Sequence, residues 1–213
     1  MQKKAVVLLS GGMDSAVCLY LAKKKGYETH CLIFDYGQRH KKEVNFAKRL
    51  ARLTGSNYHV LDIRLPWKNS ALLDMSIRVP EYKKLKPKER STPSTYVTGR
   101  NTVFVSFALS FAEAIGAGRI FIGANAIDFS GYPDCRPVYF KKFNSLLVSA
   151  ADRSSIKIET PLLYKTKKGI VSLGKRLGVP FKLTWSCYKG GKAPCMKCDA
   201  CRLRHKGFSD DES

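Results

Sequence analysis

Two groups of residues in this 213-residue chain have types and spacing that could do chemistry. The first is Ser10-Gly11-Gly12-Met13-Asp14-Ser15, where two glycines let backbone N–H groups approach an anion beside a carboxylate and two hydroxyls. Its spacing is neither the Gly-x-x-x-x-Gly-Lys-Ser/Thr of a P-loop nor the Gly-x-Gly-x-x-Gly of a dinucleotide site, so it predicts a phosphate-holding turn of another kind. A tight turn in which Asp14 or Ser15 caps a helix is the alternative. The second group is Cys187, Cys195, Cys198 and Cys201, with Gly190, Gly191 and Pro194 in the longest gap to turn the chain back, so that four thiolates can converge tetrahedrally. Lys189, Lys192, Lys197, Arg202 and Arg204 would offset the charge of such a centre. A closed four-thiolate shell leaves no open position for chemistry, which predicts one structural Zn²⁺ per chain. An iron–sulfur cluster, unligated thiols and a Cys₃His set using His205 are the competing readings.

Further candidates are single residues placed by their context. Arg100, in Gly99-Arg100-Asn101 at the start of a helix, offers a bidentate fork for a phosphate or a carboxylate, or else a helix-end ion pair. Lys167 heads a helix just after Glu159-Thr160-Pro161, which suits a phosphate contact as well as a solvent-facing lysine. Asp128, Tyr132, Asp134 and Arg136 follow the fourth strand, at the end where open α/β sheets bind ligands. There a carboxylate can accept from ring N–H donors and an aromatic ring can stack; a turn stabilised by Asp and Pro is the plainer reading. Cys18, Cys31 and Cys135 are scattered, the first two on apolar elements where small core residues are expected.

The elements that must position these groups alternate regularly. Ala5 to Leu9 is an apolar strand running into the glycine turn, and a helix follows that closes at Lys23-Lys24-Lys25-Gly26. Strands over 29–34 and 58–63 flank a helix over 41–53, a buried helix over 101–115 precedes a strand over 119–122, and a helix over 138–150, a strand over 156–158 and a helix over 167–177 complete the series. Alternation of this kind predicts an α/β fold, a Rossmann-like parallel sheet with helices on both faces. The domain reading is 1–180 for the sheet, with a proline- and lysine-rich flap at 64–98, and 181–213 for a small cysteine lobe.

Composition sets wider bounds. Apolar residues at 44% and charged residues at 26% describe an ordinary globular chain. Thirty-eight Lys and Arg against 17 Asp and Glu give a net charge of +21, which favours phosphates, anionic substrates or RNA without separating them. The opening apolar run is too short for a signal peptide or membrane span, and the cysteines cluster as metal ligands rather than pairing as disulfides, which places the chain in the reducing cytoplasm.

Ser-Gly-Gly-x-Asp-Ser after an apolar first strand resembles the PP-loop of N-type ATP pyrophosphatases, the group with the adenine nucleotide alpha hydrolase-like fold. Tyr-Val-Thr-Gly-Arg-Asn-Thr-Val-Phe from Tyr96, Ile-Gly-Ala-Asn-Ala-Ile-Asp-Phe-Ser-Gly-Tyr-Pro-Asp-Cys-Arg-Pro from Ile122, Glu-Thr-Pro-Leu-Leu from Glu159 and Leu-Thr-Trp-Ser-Cys-Tyr from Leu183 complete the pattern. Together with the four cysteines they closely resemble the QueC family of 7-cyano-7-deazaguanine (preQ0) synthases along essentially the whole chain. The resemblance implies an ATP-dependent ligase converting 7-carboxy-7-deazaguanine and ammonia into the nitrile, on the route to queuosine, with the free base rather than tRNA as substrate. It also implies a zinc-binding homodimer with Cys187, Cys195, Cys198 and Cys201 as ligands. The ATP phosphates would lie against Leu8, Leu9, Ser10, Gly11, Gly12, Met13, Asp14, Ser15, Ala16, Val17 and Cys18, with Mg²⁺ bridging their oxygens and Asp14 its direct or water-mediated partner. Asp14, Arg100 and Lys167 are then the expected catalytic residues, and Asp128, Tyr132, Asp134 and Arg136 the expected deazaguanine contacts. Three positions depart from the usual pattern: Thr98 replaces proline, Gly169 an acidic helical residue and Met196 a glycine in the cysteine loop. A tRNA-modifying PP-loop enzyme and a zinc-stabilised nucleic-acid-binding module are the rival readings, the first wanting an RNA-binding domain and the second having no use for the PP-loop.

Overall fold

The computed structural model describes residues 3–82, 92–127, 132–150 and 156–209. Five parallel strands form one sheet in the order β3-β2-β1-β4-β5. They are β1 (Lys4–Leu8), β2 (Glu28–Asp35), β3 (Asn57–Asp62), β4 (Arg119–Phe121) and β5 (Lys157–Glu159). The order reverses between β2 and β4, both of which pair with β1, and a crevice opens beyond the carboxyl ends of strands at such a switch point. The glycine turn lies there.

β1 is buried on both faces, and its side chains alternate between two cores as the pleat requires. Val6 and Leu8 join one cluster with Val105, Ala108 and Ala112 of α3 (Arg100–Ile115) and with Phe140 and Leu147 of α4 (Pro137–Ala150). Ala5, Val7 and Leu9 join the other. There they meet α1 (Met13–Lys24), α2 (Lys42–Leu53) and α5 (Lys167–Arg176). Each fully buried leucine, isoleucine or valine stabilises this arrangement by ~1.5–3 kcal/mol. Helices therefore cover both faces, as the alternation of elements requires. Strand and helix ends differ from the sequence expectation by one residue or two, the usual latitude of hydrogen-bond assignment.

Two features lie outside the sequence reading. A sixth helix, α6 (Asp199–Phe208), begins directly after Cys198 and packs along α5, where Gly207 brings it within 3.1 Å of the Lys167 carbonyl oxygen for any added Cβ. The described parts of segment 64–98 contain neither helix nor strand, yet they are tied down. The Arg39 guanidinium donates to the carbonyls of Ala71, Asp74, Met75 and Ile77, and Ser70, Ala71, Val79 and Val97 are buried. Among the described residues no helix is long and apolar enough to cross a membrane.

Candidate active site and metal centre

The turn after β1 is clamped from two sides. Gly11 has φ +80°, and a Cβ there would collide with the Glu43 carbonyl oxygen and lie 2.8 Å from the Ala47 nitrogen of α2. A Cβ on Gly123, just past β4, would lie 2.9 Å from both the Asp14 carbonyl carbon and the Ser15 nitrogen. Only glycine at both positions allows α2 and β4 to press the turn into shape. Within it Ser15 Oγ donates to the Gly12 carbonyl at 3.0 Å and accepts from Ser10 N–H at 3.2 Å. The N-cap of α1 is Gly12 and carries no side-chain cap, so the first-turn N–H groups and the helix dipole remain available to an anion.

Asp14 does not cap α1. One carboxylate oxygen takes a 2.6 Å ion pair from Lys167 Nζ at the start of α5, and the other is buried without a hydrogen-bond partner. A carboxylate with one oxygen held by a cation and the other orphaned and buried suits a metal ion or a water bound to one. Of the eleven residues 8–18, Leu8, Leu9, Ser10, Gly12, Met13, Asp14 and Ser15 line the cavity, whereas Ala16, Val17 and Cys18 are wholly buried in the core behind it. Burial pushes the Cys18 thiol far above its usual value, so it stays protonated and inert.

The cavity itself encloses about 280 Å³ between the turn, the end of β2, the start of α3 and the chain around 185–204. Arg100 enters it from the first residue of α3, with Nη1 3.2 Å from the Tyr36 hydroxyl and the guanidinium over the Tyr36 and Phe104 rings at 5.8 and 5.9 Å. Its Nε is buried and unpartnered, so a donor is left over for a ligand. Tyr132 lines the far wall; its hydroxyl bonds Thr95 at 2.9 Å and its ring sits 5.4 Å from that of Tyr96.

Asp134 stands behind that wall. Its carboxylate accepts the Asn101 backbone N–H at 3.0 Å and so caps α3, whose own N-cap is Gly99 in the left-handed conformation. Burial raises its pKa, while that N–H and the nearby Arg100 charge work against the rise. Arg136 flanks the short 3₁₀ turn Pro133–Cys135, exposed and away from the lining, and Asp128 lies outside the described residues.

Three further lining residues were given no place in a cavity by the sequence reading. Glu43, in the first turn of α2, lines the cavity with Arg100, and burial pushes its carboxyl up to about 7 despite that guanidinium. Tyr188 is there too, its hydroxyl 3.5 Å from that of Tyr132. Arg204 reaches in from α6, held by Thr184 Oγ1 at 2.6 Å and the Phe181 carbonyl at 2.7 Å. A lone glutamate in a basic helix carries no local signature, and Arg204 is expected from the sequence only to offset the charge of the cysteine centre.

The four cysteines come together as their spacing requires. The Sγ atoms of Cys187, Cys195, Cys198 and Cys201 all lie within 4.8 Å of one another. Backbone N–H groups aim at two of them, Cys195 N at Cys187 Sγ (3.3 Å) and Cys198 N at Cys195 Sγ (3.4 Å), as thiolates require. Burial opposes ionisation of Cys195, but the N–H donors of Lys197 and Cys198 outweigh it and bring the thiol down to about 6. His205, exposed on α6, is not in the group. The donor set fits a tetrahedral ion such as Zn²⁺, whose bonds to sulfur are ~2.3 Å. The loop also contains Met196 at φ 58°, a conformation that favours glycine.

This cluster is not remote from the cavity. Trp185 donates its backbone N–H to the Gly11 carbonyl at 2.9 Å, and its indole N–H to the Cys187 carbonyl at 2.8 Å. The Cys187 carbonyl also meets His40 Nε2 at 2.9 Å.

A glycine turn at the switch point of a parallel sheet is the arrangement expected of a PP-loop ATP pyrophosphatase fold, and two solved structures share the fold. NMN synthetase from Francisella tularensis superposes with a TM-score of 0.52 at 16% identity, over 92% of this chain and 71% of that one. A 4-thiouridine synthetase solved as an RNA complex with bound ATP gives 0.53 at 21%, over 97% and 53%. Sequence relatives are much nearer. The 7-cyano-7-deazaguanine synthases of Thermoplasma acidophilum and Picrophilus torridus are 47% and 51% identical, covering 98% and 97% of this chain and 89% and 87% of theirs. That of Anaeromyxobacter dehalogenans is 49% identical over 98% and 92%. The family model described as queuosine biosynthesis protein QueC matches residues 4–212, and the chain belongs to that family.

Proposed function

We propose that this protein is the ATP-dependent ligase that converts 7-carboxy-7-deazaguanine and ammonia into 7-cyano-7-deazaguanine, the reaction for which its relatives are named. One observation carries the reading: uncapped N–H groups of the turn share a single cavity with the Asp14–Lys167 pair, Arg100 and an aromatic wall at Tyr132. Phosphates, a carboxylate and a flat heterocycle would each find a complementary partner there.

A carboxylate has no good leaving group, so a nitrile requires two activations. The substrate carboxylate attacks the α-phosphorus of ATP, pyrophosphate leaves, and the acyl adenylate forms. Ammonia displaces AMP to give the amide, whose oxygen is adenylated in turn, and elimination of AMP with loss of the nitrogen-bound protons leaves the nitrile. The Ser10–Ser15 N–H groups and Lys167 stabilise charge growing on pyrophosphate, and Arg100 orients the carboxylate or the α-phosphate. Mg²⁺ bound with ATP would neutralise neighbouring phosphate oxygens, and Asp14 is the residue to hold it. Tyr132 stacks on or bonds the deazaguanine, with Arg136 and Asp128 as further contacts that the family resemblance supports; Asp134 acts there by holding the start of α3.

The four cysteines hold a structural Zn²⁺, one per chain, in a lobe over 181–213 that closes on an ATP-binding domain over 1–180. A cytoplasmic homodimer acting on the free base rather than on tRNA completes the reading, supported by the family resemblance. Mass spectrometry of purified protein with ATP–Mg²⁺, ammonium and 7-carboxy-7-deazaguanine tests it: nitrile with AMP is the expected product pair. ATP turnover with another acid only, or no nitrile from metal-replete protein, would overturn it.

A further inference from the structure

A second, smaller pocket adjoins the main cavity. It encloses about 40 Å³, against the ~10–15 Å³ that a single water needs, so it holds molecules of that size and no amino acid or nucleotide. Tyr36, Glu43, Arg100 and Tyr188 line both spaces, so one opens directly beside the other. We propose that this pocket is the ammonia site, where Glu43 accepts a proton from incoming ammonium and leaves neutral ammonia facing the activated carboxyl carbon. The inference rests on the reaction assigned above.

The lining suits a small N–H donor that must not stay charged. Glu43 supplies an acceptor. His40, also on the wall, meets the Cys187 carbonyl through Nε2 and must therefore carry its proton there. Its Nδ1 then keeps a lone pair, and that atom is buried without a partner. The other charged groups on the wall, Arg39 and Arg100, are cations. Arg39 is occupied by four carbonyls, and Arg100 donates Nη1 to the Tyr36 hydroxyl. Two guanidiniums disfavour a third cation beside them, which drives the proton from nitrogen to the carboxylate. In that step one N–H bond of ammonium breaks, the proton goes to a Glu43 oxygen, and the bonding pair stays on nitrogen as the lone pair that attacks. A glutamate raised to about 7 is matched to this work at neutral pH.

The test compares wild type and Glu43→Gln in two assays. Pyrophosphate exchange into ATP, dependent on 7-carboxy-7-deazaguanine without ammonium, reports the first activation; amide plus nitrile formation at subsaturating ammonium reports capture of nitrogen. In Glu43→Gln the ratio of capture to exchange is expected to fall at least ~10-fold, with the KM for total ammonium rising and becoming steeper with pH, because the variant draws only on ammonia already deprotonated in solution. Exchange present with an unchanged ratio would overturn the ammonia site alone. Absence of exchange in wild type would instead overturn the reaction on which it rests.

Discussion

The backbone N–H of Trp185 lies 2.9 Å from the carbonyl oxygen of Gly11, so the segment leading into the first cysteine of the cluster is hydrogen-bonded to the glycine turn itself. The Trp185 ring stacks on Phe46 of α2 at 5.9 Å, with Lys42 Nζ 4.4 Å above it. The metal loop thus forms one wall of the cavity, and order in the cysteine cluster is order in the site.

Removing metal with a chelator, or replacing a ligand as in Cys198→Ser, should therefore weaken ATP binding by at least ~10-fold as well as lowering the melting temperature, since a structural metal's binding energy contributes to folding. Calorimetric titration with ATP–Mg²⁺ below the lowered melting temperature checks it. Unchanged affinity in metal-free, folded protein would show that the lobe only lends stability.

The Asp14–Lys167 pair makes a second prediction. Lys167 side-chain exposure is 8% and that of Asp14 is 25%, so Lys167→Met leaves a mostly buried carboxylate without its cation. Breaking a fully buried pair costs about 3–5 kcal/mol, and partial solvation of Asp14 should reduce that to roughly 1–3 kcal/mol. The double variant Lys167→Met with Asp14→Asn should recover much of the stability but none of the pyrophosphate exchange. Denaturant melts beside the exchange assay separate the two effects.

Met196 should be replaceable at a gain. It stands at φ 58° with its side chain largely exposed, and the left-handed conformation costs a non-glycine residue about 1–2 kcal/mol. Met196→Gly should therefore raise the melting temperature by ~2–4 °C in metal-loaded protein, after the flexibility of glycine in the unfolded chain is counted. A lower melting temperature would show that the methionine makes contacts worth more than the strain.

Glu43 predicts how stability depends on pH. Its carboxyl is raised from 4.5 to about 7, chiefly by burial, so the native state binds a proton that the unfolded chain releases. Stability from this group is full below the unfolded value and is lost as pH rises through 4.5 to 7. Glu43→Gln, which cannot ionise, should match wild type near pH 5 and exceed it near pH 8. Thermal melts at the two values check the sign; equal differences at both would mean that Glu43 is solvated.

The two kinds of information divide along physical lines. Strand and helix order was legible because burial on both faces imposes long apolar runs on β1 and β2, and a helical period on α2 and α5. The glycine turn and the four cysteines were legible because a turn needing Gly11, and thiolates needing to converge, restrict residue type at short range. Arg100 and Lys167 were found the same way, at helix starts next to the sheet's carboxyl edge.

Tertiary structure alone decided the rest. Only the fold shows that the Asp134 carboxylate accepts the Asn101 N–H and so caps a helix that begins 34 positions earlier in the sequence. Glu43, Tyr188 and Arg204 have no assigned place in a ligand cavity until α2, the cysteine loop and α6 close on one space. The bond from Trp185 to Gly11 joins positions 174 residues apart, and no local pattern encodes such a contact. Short-range steric and charge preferences are written in the chain order, whereas the meeting of distant side chains depends on how the sheet and its helices pack.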